Sequence, residues 1–151
     1  MSLDDEEEDA VKNWGIQSQI DQNFSFRNLV FDDLDLSLNH AYYKKDLEGS
    51  SFRNTELIGS FLAEANLKNV DFTGADLREA NLRASDCRGA NFTDAKMEKM
   101  SVSEYTLVDA RTKSSLTQEQ LDSVYFAPSN GEKYGHLEGT GWPDFCFSDS
   151  T

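Results

Sequence analysis

The sequence predicts an all-β solenoid of about four coils. A large apolar residue returns at every fifth position over residues 47–107, and a small residue stands two positions before most of these. Three phenylalanines of this series, Phe52, Phe72 and Phe92, are spaced by twenty residues. Twenty residues make four repeats of five, so we expect a coil with four sides and stacked equivalent positions.

A five-residue period fits neither a regular helix nor a straight strand. Five residues advance an α-helix by about 140°, which scatters the series around the helix. On a straight strand an odd period sends successive side chains to opposite faces. The chain must therefore bend once per repeat. The residues predicted to face the core are Phe31, Phe52, Leu57, Leu62, Leu67, Phe72, Leu77, Leu82, Cys87, Phe92 and Met97, and the series continues through Val102 to Leu107.

The repeat can be followed back to residue 24 if one extra residue is allowed near Asn39 and His40. Phe31 then falls one coil below Phe52. Four coils at the roughly 4.8 Å spacing of neighbouring strands give a body about 20 Å tall.

The repeats resemble a known motif. Three segments carry it: ANLKN at 65–69, ADLRE at 75–79 and ANLRA at 80–84. They are similar to the A(D/N)LXX motif of the pentapeptide-repeat family, and the resemblance covers residues 24–110. It implies a right-handed quadrilateral β-helix.

The chain divides into four regions. Residues 1–23 form an acidic N-terminal tail, with six acids at positions 4–9, and a possible capping segment. Residues 24–110 form the β-helix, 111–127 a capping-helix region and 128–151 a loop-rich tail.

The C-terminal cap is predicted from a capping box. Thr117 and Gln120 have the required spacing, and Pro128 follows as a stop signal. We expect a helix over about 117–126. Its apolar side would be formed by Leu116, Leu121, Val124, Tyr125 and Phe126.

Composition indicates neither a membrane span nor a signal peptide, since the chain has no long apolar run and an acidic N-terminus. Two cysteines give no disulfide framework, which favours a cytoplasmic location.

No catalytic, cofactor-binding or metal-binding residues are predicted. The Asp and Asn residues before the apolar positions recur around the whole coil, so they diverge and instead serve turns. His40 and His136 lack the spacing of a metal site. The sequence therefore predicts a protein that is not an enzyme and has no cofactor.

One candidate partner surface consists of Tyr43, Ile58 and Phe61, which are predicted to face outward. Two interpretations are open: either the N-terminal segment that contains Trp14 covers these residues, or they form a docking patch for an unknown protein partner. The preferred function is a protein-interaction scaffold, with a homodimer through a terminal cap as a further possibility.

The alternative function is an acidic DNA mimic that binds DNA gyrase or topoisomerase. It is implied by the resemblance to the quinolone-resistance members of the pentapeptide-repeat family. The net charge is −14, yet residues 47–110 carry eleven acids and seven bases, a net of only −4. We expect cross-coil pairing among Glu48, Lys68 and Arg88, and between Arg78 and Glu98. The acidic composition argues against direct nucleic-acid binding.

Overall fold

The computed structural model describes residues 27–38 and 42–147. The predicted acidic tail and capping segment at 1–23, including Trp14, lie outside these residues, as do residue 24 and His40.

Parallel β-bridges join residues one coil apart and define four faces. Face 1 carries Val30, Ser51, Asp71 and Asn91; face 2 carries Asp35, Glu56, Asp76 and Lys96; face 3 carries Phe61, Asn81 and Ser101; face 4 carries Asp46, Asn66, Asp86 and Leu107. Successive members are twenty or twenty-one residues apart, so each coil has four sides. These residues point outward, because the residue that follows each of them is buried.

The corners use a left-handed backbone at regular intervals. From residue 28 to residue 99 every fifth residue has a φ between 56° and 77°, with one step of six between Leu38 and Lys44. That step confirms the extra residue predicted near positions 39–40. Gly49, Gly59, Gly74 and Gly89 share this conformation, in which they have no Cβ to strain.

The core is a narrow column of stacked side chains. All eleven residues predicted to face inward are at most 1% exposed. The rings of Phe31, Phe52, Phe72 and Phe92 stack with centroid separations of 4.6, 5.6 and 5.2 Å. The ladder inferred from the twenty-residue spacing is confirmed.

The expectation that Leu107 faces inward is wrong. It is 46% exposed, and Val108 is buried instead. Asn81 bridges Ser101 at a separation of twenty, whereas Asp86 bridges Leu107 at twenty-one. One extra residue therefore lies between Ser101 and Leu107 and shifts the pattern by one position.

Short elements close the C-terminal end. They are β1 (Ser101–Val102), α1 (Ala110–Ser114), α2 (Gln118–Ser123), β2 (Tyr125–Phe126), α3 (Gly131–Tyr134) and β3 (Gly139–Thr140), with 3-10 helices at Gly135–Leu137 and Asp144–Phe147. β2 pairs in parallel with β1 and antiparallel with β3. The strand ladder of face 3 therefore continues from Ser101 to Tyr125. No helix in the described ranges has the length and apolar character needed to cross a bilayer.

The predicted capping box is present at the start of α2. Thr117 and Gln120 each accept a hydrogen bond from the other's backbone N–H. The Gln120 amide also donates to the carbonyl oxygens of Phe92 and Ala95, at 2.8 and 2.9 Å. It thereby satisfies backbone groups at the open end of the last coil.

The helix is shorter than predicted, because it ends at Ser123 and the chain then extends into β2. Strand alternation turns the Tyr125 side chain outward and Phe126 inward, so Tyr125 does not belong to the buried stripe. The helix α1 was not predicted.

Candidate interaction face

Two of the three predicted patch residues meet on face 3. The rings of Tyr43 and Phe61 lie 5.4 Å apart at an angle of 54°. The Tyr43 hydroxyl donates a 2.6 Å hydrogen bond to the carboxylate of Glu64. Tyr43 is 39% exposed, and Phe61 is half-buried.

Ile58 lies apart from this pair, at the corner that precedes face 3. It is half-buried, and its backbone N–H donates to the Ser37 hydroxyl at 3.1 Å. It lines a separate depression with Arg78 and Lys99. The three residues therefore belong to one side of the coil but not to one cluster.

Face 3 differs from the others in charge. Its outward column runs Phe61, Asn81, Ser101 and then Tyr125, without a single acid among these residues. The corresponding columns of the other faces contain Asp35, Asp46, Glu56, Asp71, Asp76 and Asp86. On a chain with a net charge of −14, this column is uncharged and has an aromatic residue at each end.

Ion pairs on the other faces are of two kinds: some join neighbouring coils, and others join residues two positions apart. The predicted pair of Glu48 with Lys68 is present at 3.3 Å. Arg78 was predicted to pair with Glu98, but it pairs with Asp76 at 2.6 Å. The correction has a geometric cause: residues on either side of an inward residue both point outward, so Arg78 reaches back two positions. Arg78 holds the pKa of the Asp76 carboxyl below its usual value.

Arg88 repeats this arrangement on face 4, where it pairs with Asp86 at 2.6 Å instead of joining the predicted column with Glu48. Burial alone would raise the pKa of Asp86, but hydrogen bonds from Arg88 outweigh it and the pKa is lowered.

Arg83 is the exception among the six arginines. The other five, Arg27, Arg53, Arg78, Arg88 and Arg111, each lie within 3.0 Å of a carboxylate oxygen. Within residues 27–38 and 42–147, Arg83 has no ion pair, and its buried Nε has no hydrogen-bond partner. The cause lies two positions earlier, where Asn81 replaces the aspartate that serves Arg78 and Arg88. The Asn81 amide oxygen accepts only the backbone N–H of Arg83, at 3.0 Å.

Arg83 lies in a groove of about 410 Å³ at the edge of face 3. The groove is lined by Tyr43, Phe61, Arg83, Ser103, Tyr105 and Ser129, among others. Tyr105 is 62% exposed. The groove therefore combines aromatic side chains with the guanidinium of Arg83 and the carboxylate of Glu64.

Sequence reasoning identified Tyr43 and Phe61 but missed the other residues of this groove. Arg83 stands two coils above Tyr43 at a spacing of forty, and the change from Asp to Asn at position 81 was also visible in the sequence. Tyr105 and Ser129 gave no such signal. Tyr105 lies in the span that holds the second extra residue, and Ser129 lies beyond it, so the repeat fixes the position of neither.

The described residues contain no cluster of three or more His, Cys, Asp or Glu side chains able to hold a metal. His136 is exposed in the 3-10 helix Gly135–Leu137. Cys87 and Cys146 are both free thiols.

The structure thus defines a class: a four-sided parallel β-helix of five-residue repeats, closed by a helical cap. The sequence profile of pentapeptide repeats matches residues 46–83 and 71–103, in eight copies. The chain is a pentapeptide-repeat protein. Such proteins form right-handed quadrilateral β-helices, and the predicted fold class is confirmed. The family is one of scaffold proteins.

Several solved structures are similar. A pentapeptide repeat protein from the Arabidopsis thaliana thylakoid lumen is 19% identical, with a TM-score of 0.42 over 81% of this chain and 86% of that one. One from Nostoc PCC 7120 is 23% identical, with a TM-score of 0.39 over 80% and 89%. QnrB1, a plasmid-mediated fluoroquinolone resistance protein, is 19% identical, with a TM-score of 0.25 over 57% and 62%. No curated protein matches the sequence.

Proposed function

We propose that this chain is a non-enzymatic scaffold that binds a protein partner on face 3. One observation carries the proposal: the outward column of face 3 has an aromatic residue at each end, Phe61 and Tyr125, and holds no acid, whereas each of the other columns holds at least one acid. Aromatic residues are enriched and acids depleted at the centres of protein interfaces. Tyr43, Tyr105 and Tyr125 supply exposed rings along this side of the coil.

The solenoid suits this role because its surface is already ordered. Backbone hydrogen bonds connect each coil to the next, and the stacked phenylalanines fill the interior. A partner that binds a pre-organised surface does not have to order it, so less binding free energy is lost.

Substitutions on two faces test the proposal. Tyr43→Asp and Tyr105→Asp place an acid on the aromatic surface, and Leu107→Asp is the matched control, because Leu107 is a comparably exposed apolar residue on face 4. The immobilised chain is used to capture proteins from cells that encode it. The partner is then identified by mass spectrometry, and its affinity is measured with purified components.

We expect each tyrosine variant to weaken partner binding by at least about tenfold, the effect of losing about 1.4 kcal/mol. Leu107→Asp should bind as the wild type does, and thermal unfolding should show that all three variants fold. Equal binding by all variants, or equal loss with Leu107→Asp, would place the interface elsewhere.

The alternative function is a DNA mimic that acts on gyrase, and the net charge of −14 favours it. A mimic should present unpaired acids along the coil, as duplex DNA presents one charge per roughly 1.7 Å. Here Arg78 and Arg88 neutralise Asp76 and Asp86. We expect no effect of micromolar protein on supercoiling by purified gyrase. Inhibition, or protection from a quinolone, would favour the mimic.

A homodimer through the C-terminal cap is a further proposal. It is supported by Phe145, which is 44% exposed beside the rings of Phe126 and Tyr134. Light scattering should give twice the chain mass for the wild type and a monomer for Phe145→Asp. A monomeric wild type at high concentration would exclude it.

We also propose a cytoplasmic location. Its support is the pair of free thiols, which suits a reducing compartment. Fractionation of cells carrying a tagged chain tests it, and recovery from an oxidising compartment would contradict it.

A further inference from the structure

Arg83 has an unmet requirement for an anion. A guanidinium whose Nε is buried without an acceptor loses hydration and gains nothing in return. Arg78 and Arg88 show how this coil ordinarily meets the requirement, with an aspartate two positions earlier that takes two hydrogen bonds from the same side chain. At Arg83 that position is occupied by Asn81, and the carboxylate of neighbouring Glu64 accepts a hydrogen bond from the Tyr43 hydroxyl instead.

The surroundings of Arg83 indicate which anion fits. The one carboxylate lining the groove, that of Glu64, accepts the hydroxyl of Tyr43 at its edge. A guanidinium matches a carboxylate with two parallel hydrogen bonds, and a singly charged anion is repelled less by Glu64 than a doubly charged one. A phosphate group, with a charge close to −2, would remain partly uncompensated beside Glu64.

The walls of the groove indicate what carries the carboxylate. Tyr43, Phe61 and Tyr105 supply aromatic surface to the lining, to which Ser103 and Ser129 also belong. Apolar side chains gain from contact with such rings, whereas a free small anion would leave them exposed to water. A protein segment with an acid next to an apolar residue satisfies both the guanidinium and the rings.

We propose that this groove binds an aspartate or glutamate side chain of a protein partner, with Arg83 as its anchor and an adjoining apolar side chain packed against Tyr43 and Tyr105. The inference rests on the proposed function, because it specifies the chemistry of the partner on the same face. Asn81 is then a specificity-determining residue, since an aspartate there would occupy Arg83 from within the coil.

The test uses two matched substitutions. Asn81→Asp should recreate the pairing seen between Asp76 and Arg78, and so remove the anchor without changing the core. Asn91→Asp adds the same charge at the equivalent position of face 1. This variant should fold as well as the wild type, because an aspartate, Asp71, already occupies that column one coil below. Asp71 accepts two hydrogen bonds from Thr73, and Asn91 accepts the same two from Thr93.

The probe is the acetylated, amidated tripeptide Leu-Glu-Leu, with Leu-Gln-Leu as its uncharged counterpart, and inorganic phosphate is titrated separately. The readout is the Nε–Hε cross-peak of Arg83 in a nitrogen–proton correlation spectrum of the full chain. We expect a saturable shift with the glutamate peptide and at least tenfold weaker binding of the glutamine peptide. Asn81→Asp should weaken glutamate-peptide binding at least tenfold, and Asn91→Asp should leave it unchanged.

Three results would overturn the inference: equal affinity for the two peptides, undiminished binding by Asn81→Asp, or tighter binding of phosphate than of the glutamate peptide. The outcome is separable from that of the proposed function. If Tyr43→Asp abolishes partner binding and Asn81→Asp does not, the proposal of the interaction face stands and that of the carboxylate site fails. If the groove binds the glutamate peptide selectively but Tyr43→Asp leaves partner binding unchanged, the carboxylate site is retained and the interaction face is removed.

Discussion

The indole ring of Trp142 packs edge-on against the ring of Phe92, with centroids 6.2 Å apart and an angle of 70°. Phe92 is the last of the four stacked phenylalanines, so the top of the ladder is covered by a residue fifty positions later. Phe147 packs on the other side of the indole at 5.0 Å. The C-terminal segment is therefore part of the hydrophobic core.

We expect Trp142→Ala to lower the free energy of unfolding by about 3–5 kcal/mol, because it exposes the end of the ladder and leaves a large cavity. Urea denaturation followed by circular dichroism measures the change. Phe145→Ala is the control from the same segment, and its cost should be less than half as large, since Phe145 is 44% exposed. An unchanged midpoint for Trp142→Ala would mean that the tail contributes nothing to the core.

Gly74 relieves backbone strain at its corner, which has a left-handed conformation that residues with side chains, such as Ala84, adopt at other corners. Its φ is +70°, and a Cβ added there would collide with the amide oxygen of Asn54 one coil below. We expect Gly74→Ala to cost at least about 1–2 kcal/mol, the penalty of a left-handed conformation for a residue with a side chain. Thermal unfolding measures the loss.

The control for that substitution is Gly135→Ala. Gly135 has a φ of −53° and nothing within 4 Å of an added Cβ. Alanine there should be neutral or slightly stabilising. Equal losses at Gly74 and Gly135 would indicate a general sensitivity to the added methyl group rather than strain at the corner.

The repeat made the solenoid predictable because every fifth residue faces the same environment. Position in the period alone identified the buried ladder, and the six-residue step after Leu38 agreed with the interruption seen in the sequence. Where an extra residue entered without a visible interruption, as between Ser101 and Leu107, the same rule assigned Leu107 to the wrong side.

The interaction face was less predictable, because a period assigns each residue to a face but not to a cluster. It correctly turned Tyr43, Ile58 and Phe61 outward, yet only the structure separated Ile58 at its corner from the other two. The unpaired state of Arg83 depends on a single change from Asp to Asn, which matters only once the pairing rule of Arg78 is known.

The carboxylate of Asp109 couples stability to pH. It caps α1 and accepts hydrogen bonds from the backbone N–H groups of Thr112 and Gly89 and from Arg111. Burial alone would raise its pKa, but these bonds outweigh it and lower the pKa from 3.8 to about 2. Because the folded pKa is the lower one, its contribution is complete above about pH 4 and is lost as the pH falls towards 2.

We therefore expect Asp109→Asn to cost up to about 2 kcal/mol at pH 7, and the difference from the wild type to shrink as the pH falls from 4 to 2. Urea midpoints at several pH values measure it. Asp94→Asn, at an exposed corner, is the control and should cost little at any pH. A constant difference across this pH range would mean that the charge of Asp109 is not what stabilises the fold.

The thiol of Cys87 should be almost unreactive in the folded chain. It is completely buried in the ladder of inward residues, and burial raises its pKa to about 12. The thiolate is the reacting species, so at neutral pH its population falls by roughly three orders of magnitude relative to an ordinary cysteine. With a disulfide reagent such as DTNB we expect both cysteines to react quickly in denaturant and at least about a hundredfold more slowly in buffer.

The variant Cys87→Ser leaves Cys146 as the single thiol. Burial also raises the pKa of Cys146 to about 12, so this thiol should show the same protection. Reaction of Cys87 in buffer at the denatured rate would mean that the coil opens readily and that the buried ladder is not maintained in solution.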